Sequence, residues 1–263
     1  MTIKVAVTGA AGRMGTMVID AMRAVPEMEL VAGFGITGTG KLLAGGVTVS
    51  CASQLRDILA IKRPDVLIDF TVPAAAVSSV CIAADLGINL VVGTTGLSKE
   101  QQAQMRRAIE GRVAAVITPN FIMGVNVFWK LIEMAARSLQ DYDIEVIESH
   151  HCMKKDAPSG TAVAAVNILK RATGIDEVKH GREGIALRGK EIGVHAVRAG
   201  DIVGDHIVLF AGPGERLEIR HQAHSRSAFA SGAVRAAGWV VGAKPGIYSM
   251  ADVLGSACTN EQP

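Results

Sequence analysis

Residues 3–24, IKVAVTGAAGRMGTMVIDAMRA, indicate the fold with which the chain begins. The apolar run Ile3–Val7 predicts a buried strand, and a helical pattern follows it. Between strand and helix lie three glycines at three-residue spacing: Gly9, Gly12 and Gly15. In a Rossmann fold, such glycines let the backbone approach a dinucleotide pyrophosphate at a helix N-terminus. A plain strand-to-helix turn is the alternative, and Arg13 among the glycines favours the phosphate-binding interpretation.

Further apolar runs alternate with helical patterns up to residue 117. Such continuous runs are typical of parallel strands that are covered by helices on both faces. We therefore predict an α/β fold of the Rossmann type, with a doubly wound parallel sheet. The predicted strands are Glu29–Phe34, Asp65–Phe70, Asn89–Val92 and Val113–Ile117, with helices near Ser53–Ile61 and Pro73–Leu86.

Polar turns follow several of these strands. In an open α/β sheet, ligands bind outside the carboxyl ends of the strands, so we expect these turns to converge on a nicotinamide cofactor. Ordinary turn chemistry would explain any one of them alone. The candidate cofactor-binding residues are Gly9, Ala10, Ala11, Gly12, Arg13, Met14, Lys41, Gly93, Thr94, Thr95, Thr118, Pro119, Asn120 and Phe121.

The end of the second predicted strand bears on the choice of cofactor. An NAD-selective Rossmann protein places an acid there for the ribose hydroxyls, whereas this chain has Gly35. Thr37, Thr39 and Lys41 follow and can donate to a 2′-phosphate. The sequence predicts that NADPH is accepted at least as well as NADH.

The second half of the chain has a different pattern. A predicted amphipathic helix, Gly124–Leu139, leads into runs separated by glycine turns, such as Ile207–Phe210, which predict an α+β domain with a mixed or open sheet. We expect a dinucleotide-binding domain at 1–123 and 231–263, and a substrate-binding and oligomerisation domain at 124–230. The run Ile207–Phe210 is expected to lie exposed at a sheet edge unless another copy covers it. Arg198 and His206 could bind substrate or order a loop, but charges between strands are usually solvated, so we expect solvated charges and count neither residue among the catalytic candidates.

Within that second half, residues 148–162, ESHHCMKKDAPSGTA, carry the most chemistry. His150 and His151 can exchange a proton near neutral pH, and Lys154 adds a positive charge. Gly160 and Thr161 are expected in the first turn of a helix, whose positive end favours an anion such as a carboxylate. A solvated loop is the alternative. A metal site at His150 and His151 is a second, less favoured alternative, because adjacent residues of an extended chain point to opposite faces.

This stretch resembles the E-x-H-H-x-x-K-x-D-A-P-S-G-T signature of the 4-hydroxy-tetrahydrodipicolinate reductase (dihydrodipicolinate reductase) family. The blocks Asp69–Thr71, Gly93–Gly96 and Pro245–Leu254 are also similar to that family. The resemblance implies NAD(P)H-dependent reduction of 4-hydroxy-tetrahydrodipicolinate to tetrahydrodipicolinate in lysine and diaminopimelate biosynthesis, by a homotetramer.

The resemblance also implies roles for the residues of the stretch. His150 matches the family's proton donor and Lys154 the lysine that assists it. His151 and the amides of Gly160 and Thr161 match positions that hold the substrate's carboxylates. A related dehydrogenase acting on another amino or imino acid, and a non-catalytic NAD(P)-binding protein, are the alternative functions.

Composition limits the partners and the location. The net charge is +2, without a basic block, so neither nucleic acid nor an anionic membrane is an expected partner. The chain begins with a strand pattern instead of a signal sequence, and no apolar run approaches membrane-spanning length, so we expect a cytoplasmic protein. No metal is expected. The scattered cysteines, Cys51, Cys81, Cys152 and Cys258, are interpreted as reduced thiols.

Overall fold

The computed structural model describes residues 2–255, so that Cys258 lies outside the described residues. The chain divides into two compact units, which we call the first unit (Met1–Met123 with Ser227–Pro263) and the second unit (Gly124–Arg226). The boundary expected between residues 230 and 231 falls inside a helix, Ser227–Val240. The units divide just before that helix begins.

The first unit contains a seven-stranded sheet in which every pair of neighbours is parallel. In spatial order the strands are β12 (Gly246–Tyr248), β6 (Ala114–Ile117), β5 (Asn89–Val92), β4 (Val66–Asp69), β1 (Ile3–Thr8), β2 (Met28–Gly35) and β3 (Val49–Cys51). The strand order reverses direction at β1, which lies between β2 and β4, and this is where a doubly wound sheet binds its ligand.

Helices cover both faces of this sheet. They are α1 (Arg13–Met22), α2 (Leu55–Lys62), α3 (Pro73–Asp85), α4 (Lys99–Ile109), α7 (Ser227–Val240) and α8 (Met250–Val253), with short 3₁₀ turns at Ala44–Gly46 and Ala52–Gln54. Along β1, Val5 and Val7 belong to the core under α1 and α7, whereas Ala6 belongs to the opposite core under α2, α3 and α4. Because alternate side chains enter two different cores, the strand is apolar throughout. The predicted doubly wound sheet is confirmed.

The second unit contains a mixed five-stranded sheet and two helices. The strands, in spatial order, are β11 (Glu215–Ala223), β10 (Gly204–Gly212), β7 (Asp143–His150), β9 (Ile192–Arg198) and β8 (Val178–His180), and the helices are α5 (Met123–Ser138) and α6 (Gly160–Thr173). Strand β7 runs antiparallel to β10 and parallel to β9. Ile144 and Val146 of β7 pack with Val208 and Phe210 of β10 in one core. The predicted α+β architecture is confirmed.

The expectation for the run Ile207–Phe210 was wrong. It belongs to β10, which is an interior strand between β11 and β7, and Val208 and Phe210 are fully buried. The edges of the sheet are β11 and β8. Sequence alone did not show that β7, far away along the chain, pairs with this strand.

Four short elements were not predicted, namely β3, β8, β12 and α8. Each has three or four residues, too few for a periodic pattern to be recognised. Helix α4 was also missed. Within residues 2–255, no helix combines the length and the apolar character needed to cross a membrane.

Candidate active site

His150 is the last residue of β7, whereas the sequence placed it in a loop. Its side chain is only 11% exposed, and Nδ1 lies 2.6 Å from Oε2 of Glu148. Alternate residues of a strand share a face, so Glu148 and His150 point to the same side of the sheet. A carboxylate only accepts hydrogen bonds, and Nδ1 therefore carries a proton. The other ring nitrogen, Nε2, is left as the one that can exchange a proton.

Glu148 is completely buried and has four hydrogen-bond donors. Arg198 donates to both carboxylate oxygens, from Nη2 to Oε1 at 2.7 Å and from Nη1 to Oε2 at 2.9 Å. The amide of Ser159 donates to Oε1 at 3.0 Å. Burial raises the pKa of Glu148, but the hydrogen bonds from Arg198, His150 and Ser159 outweigh it and leave the pKa below its usual value. Glu148 is therefore an ionised carboxylate inside the fold.

Helix α6 begins beside this cluster. Ser159 is its N-cap, and the Ser159 hydroxyl accepts from the amide of Ala162 at 3.2 Å. Gly160 and Thr161 are the first two helical residues, as predicted. Pro158 precedes this cap. Ser159, at the positive end of the helix, is thus hydrogen-bonded to Glu148, and Glu148 is in turn hydrogen-bonded to the ring of His150.

His151 and Lys154 lie on the loop after β7. Nη2 of Arg226 lies 3.2 Å from Nε2 of His151, and an arginine can only donate, so this nitrogen accepts. Lys154 donates from Nζ to Oδ1 of Asp156 at 2.9 Å, and this hydrogen bond is the main reason why the pKa of Asp156 is lowered. Lys154 thus lies on the same loop as His151, and Arg226, which follows β11, contacts His151 from another part of the chain.

The sequence predicted that Arg198 and His206 are solvated charges, and this prediction was wrong. Arg198 is paired with Glu148, and His206 is 4% exposed, with Nε2 2.9 Å from Oγ of Ser159. In the sheet, His206 is the register partner of Glu148 across β10, and Arg198 is the partner of His150 across β9. The two-residue spacing of Glu148 and His150 was a signal for a shared face. The cross-strand partners carried no such signal.

The candidate cofactor residues of the first unit lie at the carboxyl ends of its strands. Residues 9–14 join β1 to α1, residues 93–95 follow β5, and residues 118–121 follow β6. Gly9 has a φ of +72°, and a Cβ at Gly15 would lie 2.1 Å from the carbonyl oxygen of Gly9. The chain can therefore make this tight turn only with glycines at these positions. Gly12 is the N-cap of α1, and having no side chain it leaves the first amides open to an anion. These features suit a pyrophosphate.

Asp69, at the end of β4, is hydrogen-bonded to residues at the ends of the neighbouring strands β1 and β5. It is completely buried. Its Oδ1 accepts from the hydroxyls of Thr94 at 2.7 Å and Thr71 at 2.8 Å, and its Oδ2 accepts from the hydroxyl of Thr8 at 2.7 Å. One carboxylate thus ties together the ends of β1, β4 and β5. A cavity of about 400 Å³ lies beside them and is lined by Thr94, Thr95, Thr118, Pro119, Met105 and Ile247, among others.

Lys41 lies on a loop that approaches the glycine turn, since a Cβ on Gly38 would lie 2.9 Å from Cβ of Ala11 and 4.0 Å from Cβ of Lys41. It is exposed on the loop after β2, together with Thr37 and Thr39. Within residues 2–255, no group of three or more His, Cys, Asp or Glu side chains could hold a metal ion. Cys152, next to His151, is exposed and free.

Comparison with known proteins identifies the family. The family model described as dihydrodipicolinate reductase, N-terminus, matches residues 3–121, and the one described as dihydrodipicolinate reductase, C-terminus, matches residues 124–254. The 4-hydroxy-tetrahydrodipicolinate reductase of Methanosarcina barkeri is 56% identical over 264 residues, covering 96% of this chain and 99% of that protein. The enzyme of the same name from Methanothermobacter thermautotrophicus is 53% identical over 270 residues, covering 96% of this chain and 99% of that protein.

A solved structure agrees with these relatives. The dipicolinate-bound dihydrodipicolinate reductase from Paenisporosarcina sp. TG-14 matches with a TM-score of 0.81 and 28% identity, covering 95% of this chain and 98% of that chain. The resemblance seen in the sequence is thereby confirmed. The chain belongs to the dihydrodipicolinate reductase family, which uses a nicotinamide cofactor, and its activity is that of a 4-hydroxy-tetrahydrodipicolinate reductase, an oxidoreductase of lysine and diaminopimelate biosynthesis.

Proposed function

We propose that His150 is the proton donor of this reductase, that Lys154 assists it, and that the start of α6 holds a carboxylate of the substrate. The proposal rests on one observation, namely that Glu148 is hydrogen-bonded both to His150 and to the start of α6. Its carboxylate binds the ring of His150 through Oε2 and the amide of Ser159, next to Gly160, through Oε1. A proton donor and an anion-binding helix end are therefore held by one buried group.

The reaction requires both groups. Loss of the 4-hydroxyl group as water leaves a conjugated C=C–C=N system in the ring, and the hydride that a bound nicotinamide would supply forms a new C–H bond on it. The electron pair moves to the far end of that system and leaves an enamine-like anion. A protonated His150 neutralises this anion by giving up a proton from Nε2, and such general acid catalysis contributes roughly a hundredfold to ten-thousandfold. Lys154 adds positive charge close to the developing anion.

The carboxylates of the substrate are assigned to the amides of Gly160 and Thr161 and to His151. The similar Paenisporosarcina enzyme is described as dipicolinate-bound, and dipicolinate is a planar ring with two carboxylates. The N-terminus of α6 offers the positive end of a helix dipole, which favours an anion. The positive charges of Lys154, after β7, and Arg226, after β11, favour a doubly negative substrate further.

The cofactor site is assigned to the carboxyl ends of the first unit's strands, with residues 9–14 at the pyrophosphate. The turns at 93–95 and 118–121 are assigned to the nicotinamide half. Both NADPH and NADH are accepted, with a moderate preference for NADPH, because Gly35 ends β2 and the exposed Lys41 offers a positive charge for a 2′-phosphate.

The protein assembles as a homotetramer through its second unit and works in the cytoplasm. Support for assembly comes from β11, an edge strand of nine residues whose Leu217 is 44% exposed. An exposed edge strand has unpaired backbone groups that can pair with a strand of another chain. Light scattering at micromolar concentration should give several times the 27.5 kDa of one chain, and a monomer mass would contradict the assignment.

The catalytic roles are tested by replacing the two residues. His150→Gln and Lys154→Ala should each lower kcat by at least roughly a hundredfold, because a proton transfer step is lost, while NADPH affinity stays near wild type. The control is Lys155→Ala, which removes a neighbouring charge of the same loop. A double variant of His150 and Lys154 with normal turnover would contradict the assignment.

A further inference from the structure

Glu148 and Arg198 form a buried ion pair that has no assigned part in the reaction. The guanidinium of Arg198 donates to both oxygens of the carboxylate, and this bidentate geometry gives strong and oriented hydrogen bonds. Glu148 has no exposed surface, and the side chain of Arg198 is 19% exposed. A buried pair is weak evidence for stability, because desolvation offsets the attraction. Its position next to His150 suggests a different use.

The first effect of the pair is on the orientation of His150. The ring is held at Nδ1 by Glu148 at 2.6 Å, so the tautomer and the direction of Nε2 are set together. On the opposite side, a Cβ at Gly204 would lie 3.0 Å from Nε2. The glycine leaves space at the nitrogen that has to meet the substrate.

The second effect is on charge. The charged and titratable groups that face His150 are Glu148 from its own strand, Arg198 from β9, His206 from β10 and Lys154 from the loop. Burial lowers the pKa of His150, and Lys154 and Arg198 act in the same direction, whereas the carboxylate of Glu148 raises it. Removing the charge of Glu148 should therefore lower the pKa of His150, and removing the charge of Arg198 should raise it.

We infer that Glu148 and Arg198 are positioning residues for His150: the carboxylate fixes the proton on Nδ1 and supports the imidazolium, and the arginine orients that carboxylate through two hydrogen bonds while its own positive charge opposes a charge on the imidazole. The inference rests on the proposed function of His150 as the proton donor. It assigns the pair no contact with the substrate. It also explains why one carboxylate binds both the donor and the helix that receives the substrate's negative charge.

The test is a histidine NMR titration of the full-length protein, with the His150 signal assigned by its absence in His150→Gln. In Glu148→Gln the midpoint of the His150 titration should move to lower pH, and in Arg198→Met to higher pH, each by on the order of one pH unit. The alkaline limb of kcat/KM should move in the same direction in each variant. A general loosening of the fold would not produce shifts of opposite sign.

Glu145→Gln is the matched control. Glu145 lies on the same strand and also accepts from a histidine, His195, and from two arginines, Arg182 and Arg188. This variant should leave the His150 midpoint unchanged. If Glu148→Gln does not fold, Arg198→Met alone decides, because a midpoint that stays at the wild-type value or moves down would overturn the inference.

The two proposals fail in different ways. If His150→Gln keeps wild-type turnover and the alkaline limb of its kcat/KM profile, His150 is not the proton donor and the role proposed for it is wrong. If His150→Gln is inactive but the His150 midpoint in Glu148→Gln and Arg198→Met equals that of wild type, only the positioning role is overturned.

Discussion

The hydroxyl of Ser159 lies 2.9 Å from Nε2 of His206 while it accepts the amide of Ala162, so that one side chain both caps α6 and holds a buried histidine. The other ring nitrogen of His206, Nδ1, is buried without a hydrogen-bond partner within the described residues. A charged imidazole would leave a donor unpaired there. Burial lowers the pKa of His206 to about 4, with His150 adding to the effect.

Stability should therefore depend on the protonation of His206. In the unfolded chain this histidine binds a proton near its usual value of 6.5, whereas in the folded protein it does so only near 4. Between these values the unfolded state holds more protons, so stability falls as the pH decreases. From pH 7.5 to pH 5 the contribution is about 2 kcal/mol.

Urea denaturation of wild type and His206→Gln at these two pH values measures the effect. The variant should lose less stability on acidification than wild type, by about that amount. His180→Gln, at an exposed histidine of β8, should behave like wild type. Equal acid sensitivity of wild type and His206→Gln would show that His206 is not kept neutral by the fold.

Asp69→Asn should destabilise the first unit by about 1–3 kcal/mol, because an amide offers one acceptor oxygen where the hydroxyls of Thr8, Thr71 and Thr94 need two. Cofactor affinity should fall as well, since the turns after β4 and β5 lose their common anchor. Asp65→Asn is the control, as Asp65 accepts one exposed hydrogen bond, from the amide of Lys4, which an amide oxygen can keep. Thermal melts and NADPH titrations would show whether the two variants differ.

Gly15→Ala should be far more harmful than Gly12→Ala. The new Cβ would lie 2.1 Å from the carbonyl oxygen of Gly9 in the first case and 3.1 Å in the second. Backbone atoms must move to relieve the shorter contact, at a cost of about 1–3 kcal/mol or more. Because the turn itself is displaced, affinity for NADH and NADPH should fall together. A Gly15→Ala protein with wild-type melting temperature and cofactor binding would contradict the tight-turn explanation.

Lys41→Ala tests how the cofactor is chosen. Lys41 is exposed, so its attraction for a 2′-phosphate should be on the order of 1 kcal/mol, less than tenfold in affinity, and weaker in high salt. The variant should bind NADPH less tightly and NADH unchanged, when both are titrated at two ionic strengths. Equal losses for the two cofactors, or tighter NADH binding by the wild type, would show that this loop does not recognise the phosphate.

Local sequence patterns were sufficient for most of the first unit. The strand β1, the glycine turn and the helix α1 follow from residues 3–24, since apolar continuity and glycine spacing are properties of neighbouring residues. The same holds for the start of α6, where Ser159 and Gly160 are local signals for a cap and a helix. The elements that were missed, such as β3 and β12, are too short for a pattern and form only because a neighbouring strand pairs with them.

The candidate site shows the same division. The sequence by itself determined that His150, Lys154 and Gly160 lie within a few residues of a strand end and a helix start. Only the tertiary structure decided that Glu148 is buried, that Arg198 pairs with it from β9 and that His206 faces it from β10. Those contacts depend on the pairing of strands that are distant in sequence, and one residue of register shift would turn each side chain to the other face of the sheet.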